Sequence, residues 1–147
     1  MAVQLTHKSV GMEGLVLHSL EWDAILNSAK KFGWKPKGTI SSAAHPKDNT
    51  WDRYDYYSKN GQIVLEDDAK EFAHAIDNFL RIIRFPSIED IVNPFLFFKI
   101  FIQFPRESII SLKYKFRIRH FSHSQKEWET ELVELVKFCR QGEFSIF

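Results

Sequence analysis

Cys139 is the single thiol in this chain of 147 residues. It shares a helical stripe with Trp128, Leu132, Leu135 and Val136. An apolar setting disfavours the thiolate that a nucleophile or metal ligand needs, so the position predicts an inert, structural cysteine. No Gly-x-Ser-x-Gly elbow, phosphate-binding loop or dinucleotide fingerprint occurs, so no residue is assigned a catalytic role and no cofactor is expected. His120 with His123, and His74 with Asp77, are the nearest approach to metal-ligand pairs. Neither pair brings the further converging ligands a site requires, and solvated histidines account for both, so no metal is expected. Asp52 and Asp55 can pair as acid and base, but polar residues that keep a hairpin soluble explain them equally well.

Aromatic side chains make up 15% of the sequence, fourteen of them Phe, which is more flat apolar surface than a core of this size readily holds. Trp51, Tyr54, Tyr56 and Tyr57, with Trp34 folded back against them, form a candidate cleft for a small organic ligand. The plainer alternative is that these rings roof the core. Lys113, Lys115, Arg117 and Arg119 alternate, which places four cations on one side of a strand. A strand pairing with it over 95–104 sets Phe97 and Phe101 on that same side, and a basic surface interleaved with aromatics suits single-stranded nucleic acid. Pairing with the Glu127, Glu131 and Glu134 flank of the last helix is the competing explanation. It is favoured because twenty basic and nineteen acidic side chains leave a net charge of +1 and no global field.

Amphipathic periodicity predicts helices over 20–32, 66–83 and 125–141, with Ser19 capping the first and Gly33 and Gly142 ending the first and last. Glu66, Asp67 and Asp68 suit the positive end of the second helix. The Asn60-Gly61 turn predicts a hairpin over 51–64, and a second hairpin is expected over 95–119. Short strands are expected at 39–40 and 144–147. Residues 1–14 show no period and read as a flexible N-terminal arm before a single domain over 15–147. The fold class is α+β, with antiparallel hairpins covered by about three amphipathic helices. The apolar run at 95–104 is too short to span a bilayer and contains Lys99 and Gln103, so no membrane association is expected. One cysteine and no secretory leader point to the cytoplasm.

Four blocks run through the chain: Trp34-x-Pro36-x-Gly38-Thr39, Asn60-Gly61-Gln62 leading to Asp68-Ala69, Phe72-Ala73-x-Ala75, and Phe138-Cys139-Arg140-Gln141-Gly142-x-Phe144-x-Ile146. Together they resemble a family of small uncharacterised bacterial proteins. The resemblance covers residues 20–80 and 124–147 and implies a bacterial, cytoplasmic protein without implying an activity. The chain departs from the pattern at Glu143, where a second glycine is expected, and its segment 86–121 has no counterpart in the pattern. The expected function is that of a noncatalytic binding or protein-interaction domain that self-associates as a homodimer, because both faces of the 95–119 hairpin carry Phe. The alternatives are a single-stranded nucleic-acid binder using the basic strand and an enzyme acting on a small molecule in the aromatic cleft.

Overall fold

A computed structural model describes residues 2–7, 13–42, 52–84 and 125–147. Within them the order is β1 (Ala2–His7), β2 (Leu15–His18), α1 (Ser19–Lys31), β3 (Thr39–Ile40), β4 (Gln62–Val64), α2 (Glu66–Arg84), α3 (Gln125–Arg140) and β5 (Phe144–Ile146). The strands form one antiparallel sheet in the order β2-β1-β5-β4-β3. This is an α+β fold. The chain divides into two compact units rather than the one expected over 15–147: the first is Met1–Phe79 with Leu132–Phe147, the second Leu80–Glu131. The sheet and everything described below belong to the first.

Cross-strand partners share a face of the sheet, so the register sorts its side chains. Leu17 opposes Val3, Leu5 opposes Ile146, and Phe144 lies between His7 and Val64. All but His7 in that set are buried. The helices supply the other half of the core. Trp22 of α1 and Phe72 of α2 meet with ring centroids 5.8 Å apart, Phe32 and Phe79 meet at 5.3 Å, and Phe138 of α3 lies edge-on to Phe144 at 5.6 Å. Burying side chains of this size contributes about 2–3 kcal/mol each, which makes the aromatic seams a principal source of cohesion. Gln62 is fully buried on β4, and its amide stays bonded: it donates to the Ser58 and Asp55 carbonyls and accepts from the Asn60 N–H at 3.0 Å.

Three local expectations are corrected. Residues 2–7 are not a loose arm but the second strand of the sheet, with Val3 and Leu5 in the core; the alternation Val3, Leu5 is too short to stand out as a period. α1 is capped by His18, not Ser19: the Leu20 N–H donates to His18 Nδ1 at 3.3 Å while Glu21 accepts the His18 N–H at 2.9 Å. The 51–64 hairpin has no first strand in its described part, 52–58. There the Asp52 carboxylate accepts the Tyr54 N–H, and Asp55 accepts those of Tyr57 and Ser58, so the side chains coil the backbone that a ladder would need extended. Among the described glycines Gly61 has φ of +70°, but Asn60 does not share the positive φ a type I′ turn requires, and β4 pairs with β3 and β5 instead. Gly33 and Gly142 have φ of +100° and +130° at the ends of α1 and α3, as helix terminators should. The 95–119 hairpin lies outside the described residues.

Gly61 donates its N–H to the Ile146 carbonyl at 2.8 Å, and a Cβ added there would lie 2.8 Å from the Phe147 ring. Gly61→Ala is therefore expected to cost about 1–2 kcal/mol for the left-handed backbone alone, with a further loss from displacing the ring. In a Phe147→Ala background the loss should shrink to the backbone part. Urea unfolding of the four proteins of this cycle measures both contributions, and strict additivity would show that the ring does not constrain this position.

Candidate functional site

Asp68 lies in the first turn of α2, where the helix dipole favours a carboxylate, and it is fully buried. A buried carboxylate is tolerated only when its oxygens are bonded. Here Oδ1 accepts the Trp34 indole N–H at 2.8 Å and more weakly the Lys37 N–H at 3.4 Å, while Oδ2 accepts the Tyr56 hydroxyl. The same hydroxyl oxygen accepts the Gly38 N–H at 2.9 Å, so Tyr56 is donor and acceptor at once. Burial, then the adjacent Asp68 carboxylate, push Tyr56 well above the usual phenol range, which keeps its proton in place as that donor. Around this polar centre Trp34 stands edge-on to Tyr56 at 5.0 Å and to Phe72 at 4.8 Å. The Trp22 indole closes the far side by donating to the Tyr56 carbonyl at 2.9 Å.

The aromatic residues singled out as a cleft are thus separated by the fold. Trp34 and Tyr56 are interior, with exposures of 3% and 2%, and their polar atoms are engaged as described. Tyr54 and Tyr57 are exposed: Arg53 lies 5.2 Å from the Tyr54 ring centroid and Lys30 lies 5.7 Å from that of Tyr57. Partial burial and the Asp23 carboxylate raise the Tyr57 hydroxyl above its ordinary value. Trp51 lies outside the described residues, as do Phe97, Phe101, Lys113, Lys115, Arg117 and Arg119, and likewise His120 and His123.

Asp52 and Asp55 serve the local turns. Partial burial works against the Asp55 carboxylate, but the Ser58 hydroxyl and the Tyr57 and Ser58 N–H groups outweigh it and hold the group below its ordinary value. His74 is exposed, and Asp77 pairs with Arg140 at 3.6 Å. Cys139 is buried and its thiol pushed far up by that burial, the setting of an unreactive thiol. Among the described residues no group of three or more His, Cys, Asp or Glu is placed to hold a metal ion.

The outer face of the sheet is a feature that composition and periodicity did not single out. Its register aligns two cross-strand rows: Thr6, Ser145, Ile63 and Ile40, and beside them Val16, Gln4, Phe147 and Gly61. None of the eight is charged. Val16, Ile40 and Phe147 remain 63%, 48% and 47% exposed. The available signal was the apolar character of both alternating sets, Leu15-Val16-Leu17 at one edge and Ile146-Phe147 at the centre, since a strand with one solvated face normally places polar residues on it.

The carboxylate at 68 accounts for two strong bonds, each worth roughly 1.5–3 kcal/mol when one partner is charged. Asp68→Ala is expected to lower unfolding stability by about 3 kcal/mol or more, and Tyr56→Phe by about half that. In a double-mutant cycle the two losses should fall short of additive, because the second substitution removes a bond already broken; additive losses in urea unfolding would show the two groups to be independent. Comparison with known proteins yields no matching family model, no matching curated protein and no matching solved structure.

Proposed function

We propose that this chain is a noncatalytic protein-interaction domain that self-associates, and that the open face of its sheet takes part. The observation that carries this reading is the pair of uncharged cross-strand rows, which leaves Val16, Ile40 and Phe147 exposed together on a flat surface. Monomeric proteins seldom leave such a surface uncovered, and depletion of charge is the compositional mark of an interface centre. The aromatic residues best suited to line a ligand cleft are instead engaged in holding the fold, which weakens the enzyme alternative. No helix among the described residues is long and apolar enough to cross a membrane. We place the protein in the cytoplasm of a bacterium, following its motif blocks and its single buried thiol.

Sedimentation at micromolar concentrations should show a species larger than the monomer. Val16→Glu and Ile63→Glu should dissociate it while leaving the circular dichroism spectrum and melting temperature nearly unchanged, since outer-face positions away from structural features tolerate substitution within about 0.5 kcal/mol. A monomer for the unmodified chain would overturn self-association. Binding of a labelled single-stranded oligonucleotide that weakens steeply with salt, and is lost when Lys115 and Arg117 become Glu, would replace this reading by nucleic-acid binding.

A further inference from the structure

His7 ends β1 on the inner face of the sheet, directly opposite Phe144. Its Nδ1 lies 2.9 Å from the Glu143 carbonyl oxygen and its Nε2 lies 3.0 Å from the Phe138 carbonyl oxygen. The ring rests on that of Phe138, with centroids 4.0 Å apart. Both neighbours are acceptors, and a neutral imidazole carries only one N–H whichever tautomer is chosen. A neutral ring therefore donates to one carbonyl and points a lone pair at the other. Only the doubly protonated ring makes both bonds, and each is then charge-assisted. The Phe138 carbonyl adds a second reason, because it belongs to the last turn of α3, the end of a helix that favours a cation.

From this geometry we infer that His7 is a proton-operated latch, closed when its ring is doubly protonated, that fastens β1 to the α3–β5 corner. The charged groups nearest its two acceptors along the chain are Lys137 and Arg140 from α3 and Glu143 from the turn; β5 presents the uncharged Phe144 and β1 itself the uncharged Thr6. Arg140 is paired with Asp77. The native state then holds a proton that the unfolded chain gives up within the histidine range, about pH 5 to 8. A proton bound preferentially by the native state makes stability fall as pH rises, so the latch is closed at the acid side and opens toward the alkaline side. Its release loosens a contact spanning more than 130 positions of sequence.

The test compares the unmodified chain with His7→Gln, which retains a donor but does not titrate, by urea unfolding at about pH 5.5 and about pH 8, on either side of the range. The other five histidines are common to both proteins and cancel in the comparison. The folding equilibrium constant of the unmodified chain should drop by about tenfold more than that of His7→Gln between the two pH values. An equal drop overturns the latch. Should His7→Gln fail to fold, nitrogen-detected NMR of the His7 ring in the unmodified protein decides: protons on both ring nitrogens at about pH 6 are expected, and a single proton there overturns the inference.

Discussion

A carboxylate with no exposed surface sits at the centre of this fold, and its need for hydrogen bonds determines how the chain is arranged around it. Asp68 draws the Trp34 indole inward, holds the Tyr56 hydroxyl, and through that hydroxyl secures the Gly38 N–H. Three stretches far apart in sequence, the loop after α1, the turn before β4 and the start of α2, are thereby tied to a single side chain. Gly38 has φ of +103° at this point, and a Cβ there would lie 2.5 Å from Arg53 Nε, so the position is suited to glycine twice over. Arg53 in turn bonds the Lys37 carbonyl, and its own carbonyl accepts from both the N–H and the hydroxyl of Thr39. The start of β3 is thus built from the same connected set of bonds.

The four sequence blocks on which the family resemblance rests are parts of this framework. Trp34, Gly38 and Thr39 serve the Asp68 network; Gly61 passes beneath Phe147; Phe138 joins His7 to Phe144; and Gly142 turns the chain from α3 into β5. Blocks whose residues hold a backbone together convey a fold more directly than a reaction. The resemblance accordingly carried an architecture and no activity.

Helices were the most legible elements, because an apolar stripe extending over three or four turns is a long signal: Trp22, Ile25, Leu26, Ala29 and Phe32 are all buried, as are Ala69, Phe72, Ala73, Ile76 and Phe79. The end glycines were equally plain. Short strands were not, since β1 offers only Val3 and Leu5 as inward positions, and the Tyr-rich stretch before β4 resembles a strand in composition while its aspartates coil it. The aromatic cluster was recognised as a group, but Trp34 and Tyr56 could not be separated from Tyr54 and Tyr57 without knowing that Asp68 is interior. A hint was present: Asp68 is one helical turn from Phe72, at the edge of the buried stripe rather than opposite it. The outer sheet face depends on a register between strands from opposite ends of the chain, and no local pattern records that.

The position of β5 has a consequence for how the molecule comes into being. β5 is the sole connection within the sheet between the β2–β1 pair and the β4–β3 pair. Each of those pairs joins stretches close in sequence, whereas the β1–β5 ladder joins Leu5 to Ile146. During synthesis the two hairpin-like halves can form early, but they have nothing to share until residues 144–146 have been made. Until then each half presents an unpaired inner edge, and a nascent chain must keep both from pairing with strangers. The closing strand is short, and its arrival converts two marginal ribbons into one sheet.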